Sequence, residues 1–173
     1  MVWRESFGAH GATARRSEGE RVSKTSSILI IEHHDDHRAL LESALRGDGI
    51  TVASVDTGEA ALLRLGMTDF GCVIIGSPVP VTFAAESSTI LDLFDLLAPN
   101  LAPRLVVVTN AAAVDIIRRA LRMQAYAVFI APFDPEELRA TVGMCLRREV
   151  PSRRLHGTAA QIERLVIGDS PEE

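Results

Sequence analysis

The chain has 173 residues and a mass of 18.7 kDa, enough for one compact domain with a core and too little for two ordinary domains plus a linker. Apolar residues make up 47% and charged residues 24%, which excludes collagen-like, wholly disordered and charged all-helical classes. Two cysteines, Cys72 and Cys145, exclude a disulfide framework and a cysteine zinc cluster, and they point to a reducing, cytoplasmic setting.

No run approaches the ~18 consecutive apolar residues of a membrane span. The opening stretch MVWRESFGAHGATARR lacks the continuous apolar core of a secretory signal. The net charge of −5 is unevenly spread: residues 1–27 carry +2, residues 28–146 carry −7 and the remainder is balanced. An acidic middle argues against a nucleic-acid partner, because gripping phosphates depends on Lys and Arg. Lys24 is the sole lysine.

Residues 1–26 are rich in Gly, Ser, Ala, Arg and Glu without apolar periodicity, and they read as a flexible tail. Ile28-Leu29-Ile30-Ile31 is a continuous β-branched run, the pattern of a strand buried on both faces. After the polar stretch Glu32-His33-His34-Asp35-Asp36-His37 comes a helix with Leu40, Leu41, Ala44 and Leu45 on one face. Asp35 or Asp36 is its expected N-cap, and Gly47 and Gly49 end it. Ile50 to Val55 reads as a second strand. A helix capped by Asp56 or Thr57 follows and stops at Gly66.

Phe70 to Ile75 is the third strand. It runs into Gly76-Ser77-Pro78-Val79-Pro80, a loop because two prolines forbid ladder pairing. Val79, Val81 and Phe83 are expected to pack over the end of the sheet. A helix around Ser88 to Leu97 follows. Leu105 to Val108 is the fourth strand, ending at Thr109-Asn110, and residues 111–123 form a helix with Val114, Ile117 and Leu121 inward. Tyr126 to Ile130 is the fifth strand. Asp134-Pro135-Glu136-Glu137 is a strong helix start, and that helix extends to about Arg148. Alternation of five apolar runs with five helical patterns predicts βα units around a parallel sheet. Ligand sites in such sheets lie beyond the carboxyl ends of the strands.

Over residues 27–148 the sequence resembles the receiver domain of bacterial response regulators. The resemblance rests on Ile28-Leu29-Ile30-Ile31 followed by Glu32-His33, on Thr57-Gly58-Glu59-Ala60 and on Val79-Pro80. Val106-Val107-Val108-Thr109 and Ala131-Pro132-Phe133 complete it, all in the family's order and spacing. It implies a flavodoxin-like, doubly wound α/β fold, with a five-stranded parallel sheet in the order 2-1-3-4-5 and flanking helices.

The chemistry of that family needs an acceptor aspartate, magnesium held by hard oxygen ligands, and a cation for the developing charge. Here the acceptor position is Gly76. The acidic pair is Glu32-His33, and imidazole is a poor magnesium ligand. The lysine position is Ala131, and the usual switch aromatic is Val128, with Phe129 expected on the other side of the strand. Thr109 alone is retained. Asp35 and Asp36 lie past the strand end, and Asp69 lies at the opposite end of the sheet. The residues Glu32, His33, Gly76, Thr109 and Ala131 are therefore expected to form a degenerate phosphorylation pocket in a pseudo-receiver.

No nucleophile–base pair or phosphate loop points to an enzyme, no cofactor is expected, and the expected role is protein binding in two-component-type signalling. The resemblance implies a sensor kinase, a phosphotransfer protein or another receiver as partner. It also admits a homodimer through the face made by the fourth helix, fifth strand and fifth helix. Asp115, Arg118, Arg119 and Arg122 are the candidate docking residues, with Arg139 expected nearby. The alternative is a small-ligand or metal sensor using the same pocket. The Glu32–His37 cluster invites that reading, but its ligands stand so close in sequence that a solvated loop is preferred and no metal is assigned. Residues 149–173 read as a linker broken at Pro151 and a short tail, with room for one helix over Thr158 to Ile167.

Overall fold

The computed structural model describes residues 26–47, 49–76, 89–91, 94, 101, 104–110 and 112–167, with backbone alone at 164–167. The proposed N-terminal tail up to Thr25, the loop of residues 77–88 with Val79, Val81 and Phe83, and most of the helix expected around 88–97 lie outside these residues.

The described elements alternate strand and helix: β1 Ser27–Ile31, α1 Asp35–Leu45, β2 Thr51–Val55, α2 Gly58–Met67, β3 Cys72–Ile75 and β4 Leu105–Asn110. They continue with α3 Val114–Arg122, β5 Ala127–Ala131, α4 Pro135–Leu146, β6 Leu155–His156 and α5 Ala159–Ile167. All strand pairs are parallel, in the order β2-β1-β3-β4-β5-β6. The first five strands stand in the expected order. The sixth corrects the expected count of five.

Ile28 to Ile31 are wholly buried because helices cover both sides of the sheet. Alternate strand side chains point to opposite faces, so each strand feeds two cores. Leu29, Ile31, Val73, Ile75, Val107, Val128 and Ile130 pack with Ala61 of α2 and with Ile117 and Ala120 of α3. Ile28, Ile30, Cys72, Ile74, Val106 and Phe129 pack with Leu41 and Leu45 of α1 and with Leu138, Val142 and Cys145 of α4. Each fully buried Ile or Leu contributes roughly 1.5–3 kcal/mol. Phe129 does face away from Val128, as the alternation requires.

Helix starts follow local chemistry. Thr57 caps α2 by accepting the Ala60 N–H at 3.3 Å, and Asp134 caps α4 by accepting the Glu136 N–H at 2.9 Å with Pro135 behind it. Neither Asp35 nor Asp36 caps α1. The cap is His34, whose own N–H is taken by the Glu32 carboxylate at 2.9 Å, and the two aspartates lie inside the first turn. There they oppose the positive end of the helix dipole.

The segment read as a linker supplies β6. The Val128 N–H donates to the Arg154 carbonyl at 2.6 Å, and Leu155 and His156 register with Val128 and Phe129. Thr158 and Gln161 then cap α5 reciprocally, through Gln161 N–H to Thr158 Oγ1 at 3.3 Å and Thr158 N–H to Gln161 Oε1 at 2.6 Å. Gln161 Nε2 reaches back to the Ala131 carbonyl at 2.9 Å.

Candidate functional site

Register brings the expected pocket residues to one end of the sheet. Ile31 pairs with Ile75 and Ile75 with Val107, so Glu32 and Gly76 leave adjacent strand tips and Thr109 stands at the next. Asn110 pairs with Ala131 at the tip of β5. A cavity of about 170 Å3 opens there, lined among others by Glu32, His37, Thr109, Asn110, Ala131 and Phe133. Of the five expected pocket residues, Glu32, Thr109 and Ala131 line the cavity, Gly76 stands beside Glu32 at the neighbouring strand tip, and His33 is not among the lining residues. His37 and Phe133 join them without having been singled out for this cavity, although a helical turn after His34 was the available signal.

Glu32 is only 2% exposed. Its backbone N–H donates to the Val55 carbonyl at 3.0 Å, and its own carbonyl accepts from Arg38 at 2.9 Å. Oε1 takes the His34 N–H and lies 3.1 Å from His34 Nδ1 and 3.5 Å from His33 Nδ1. His33 Nδ1 and the Thr109 hydroxyl are buried and have no hydrogen-bond partner among the described residues.

The carboxylate fills the space in front of Gly76. A Cβ on residue 76 would stand 1.8 Å from Glu32 Oε2 and 2.6 Å from its Cδ. Such contacts lie far inside van der Waals separation, so a side chain at 76 and this position of Glu32 exclude each other. Arg38 also pairs with Asp35, leaving that carboxylate on the surface. Asp69 pairs with Arg104 at 2.6 Å, just before β3 and at the far end of the sheet. From Thr25 onward the chain has no lysine, and Ala131 presents a methyl group at the β5 tip.

The proposed docking residues are not one patch. Asp115, Arg118, Arg119 and Arg122 lie on α3, whose Ile117 and Ala120 pack into one core. Arg139 lies on α4 across the sheet, where its Nε donates to the Ala44 carbonyl of α1 at 2.9 Å. α3 packs on the face it shares with α2 and α4 on the face it shares with α1, so proximity in helix order is not proximity in space. Along the outer edge of β5, the expected face is covered by β6. His156 stacks on Phe129, with ring centroids 4.3 Å apart and planes 3° apart, and its Nδ1 lies 2.7 Å from Glu137 Oε1.

No helix among the described residues is long and apolar enough to cross a membrane. Among the described residues Tyr126 and Cys72 carry the shifted acidities, and both lie away from the pocket, at the opposite ends of β5 and β3. Burial pushes the Tyr126 phenol up, while its O–H donates to the Glu149 carbonyl at 2.8 Å. The Cys72 thiol is raised well above its ordinary range, first by its hydrogen bond with Cys145 and then by burial.

Comparison with known proteins agrees with this architecture. The protein named Transcriptional regulatory protein ZraR from Salmonella typhimurium is 29% identical over 146 residues, covering 83% of this chain and 32% of that protein. Its namesake from Escherichia coli K12 matches at the same identity and coverage. The chain thus spans about a third of the length of these curated relatives. Among solved structures, full-length FixJ from B. japonicum superposes with a TM-score of 0.60 at 22% identity, over 71% of this chain and 58% of that one. The response regulator ChrA of a heme-sensing two-component system gives 0.61 at 19% identity, over 87% of this chain and 69% of that one. The profile of the response regulator receiver domain matches residues 28–143, two thirds of the sequence and every strand from β1 to β5, and so the chain belongs to the response regulator receiver domain family.

Proposed function

We propose that this receiver does not accept a phosphoryl group at its β3 tip and acts instead by binding protein partners in two-component-type signalling. The observation that carries the reading is the Glu32 carboxylate standing 1.8 Å from where a Cβ of residue 76 would be. Phosphoryl transfer to an aspartate needs a nucleophile there, a metal facing it and cationic help. In this pocket the nucleophile position is a glycine, the single carboxylate occupies its space, and the β5 tip offers a methyl group. The domain then serves as a scaffold, with no chemical step of its own.

Partners of the expected kinds, a sensor kinase, a phosphotransfer protein or another receiver, fit best on the outer surface of α3. Exposed Asp115 and Arg122, with half-buried Arg118 and Arg119, give that helix mixed charge. The β5 edge is already paired with β6, which favours helix-mediated docking over strand addition, including in a dimer of this chain.

The test is incubation of the full chain with a radiolabelled small phosphodonor and magnesium. No label released by hydroxylamine or alkali is expected on the protein. Stoichiometric label that persists in mild acid and is released by hydroxylamine, the behaviour of an acyl phosphate, would overturn the reading.

A further inference from the structure

We infer that Glu32, His34 and His37 form a binding site for a zinc-class divalent cation. The inference adds to the docking reading and does not depend on it. One donor atom from each of the three residues lies within 4.8 Å of the others, the sole such histidine, cysteine and carboxylate group among the described residues. Ligands of tetrahedral zinc stand about 3.4 Å apart, given bond lengths of ~2.0–2.1 Å. His34 and His37 are both exposed and their ring centroids are 5.2 Å apart, so small side-chain rotations close the remaining distance.

Sequence spacing favoured a solvated loop over convergence, and the corner between β1 and α1 removes that objection. Glu32 leaves the strand tip pointing into the molecule, while His34 and His37 sit at the cap and in the first turn of the helix. The chain reverses between them, and three residues within six positions face one point.

Two features separate this group from an ordinary surface cluster. The acidic member is buried, and its Oε1 is already held by the His34 N–H beside His34 Nδ1, so one ligand is positioned in advance. Arg38 donates to the Glu32 carbonyl and to Asp35, which fixes the main chain behind the site in the way outer-shell groups orient metal ligands. Two imidazoles and one carboxylate suit zinc, nickel or copper and disfavour magnesium. A cation at a helix N-terminus is opposed by the dipole, and Asp35 and Asp36 in the same turn offset it. Three protein donors leave an open position. His37 and Glu32 also line the cavity that holds the Thr109 hydroxyl, which has no hydrogen-bond partner among the described residues, so an additional ligand has room to enter.

The test uses untagged full-length chain, stripped with chelator, and calorimetric titration with zinc chloride. One zinc per chain is expected. His34→Gln and His37→Gln should each weaken binding at least about tenfold, and the double variant should abolish it. Asp36→Asn, an exposed neighbour, should stay within about twofold. Cobalt(II) should give the intense visible absorption of a four-coordinate site, absent in the double variant. Lack of saturable zinc binding, retention of affinity in both histidine variants, or an equal loss in Asp36→Asn would each overturn the assignment. Phosphoryl labelling is read separately, so a labelled chain that still binds zinc defeats only the docking reading, and an unlabelled chain that does not bind zinc defeats only this one.

Discussion

At the scale of single residues, Glu32 and Gly76 define one another. A glycine at the β3 tip suits this close approach, because the nearest atoms to a Cβ belong to the buried Glu32 carboxylate, which would have to move to admit one. We expect Gly76→Ala to cost about 1–3 kcal/mol in urea unfolding, the range for overpacking a filled interior. Removing the obstacle should remove the cost. In a cycle with Glu32→Ala, the two changes should couple favourably by about 1 kcal/mol or more. Strictly additive losses would mean that Glu32 yields freely and that the pocket is not filled by it. The residues themselves were legible in the sequence: glycine, glutamate, threonine and alanine stand where alternation and family spacing put them. Their contact was not, since nothing in a sequence says that a side chain on one strand leans into a gap on the next.

At the scale of elements, long apolar runs announced β1, β3 and β4, and the acidic-proline start announced α4. Short and irregular pieces stayed hidden. β6 has two residues, too few for any periodicity, and it follows a proline that reads as a breaker. What holds it is long-range: the Phe129 ring under His156, Glu137 beside it, and backbone pairing to β5. The misplacement of Arg139 has a similar origin, because the side of the sheet on which a helix packs depends on the crossover and not on its own charge pattern. His156→Ala should therefore destabilise the domain by about 1–3 kcal/mol, through the lost stack and hydrogen bond. His156→Phe should recover part of that by restoring the ring. Thermal or urea melts separate the two, and a His156→Ala protein as stable as the parent would show that β6 contributes nothing.

For the whole molecule, the Cys72 thiol links stability to pH. Cys72 and Cys145 are buried in the core shared by α1 and α4, and the Cys72 thiol holds its proton well beyond the ordinary range. An unfolded cysteine ionises near pH ~8.5, so above that point the unfolded chain releases a proton that the folded chain keeps. Folding stability from this group is complete below about pH 8.5 and is lost as pH rises further, with a limiting slope of about 1.4 kcal/mol per pH unit. Tyr126, raised by burial, adds to the decline above about pH 10. Melts from pH 7 to 10.5 should be flat and then fall, and Cys72→Ala should reduce the fall between pH 8.5 and 10. A profile unchanged by that substitution would mean that the Cys72 thiol titrates alike in both states.

The mutual exclusion of Glu32 and a side chain at position 76 also bears on any attempt to graft a phosphoacceptor onto this domain. An aspartate introduced at 76 collides with Glu32 in its present position, so the graft needs Glu32 to move or shorten as well, and a cation at 131 besides.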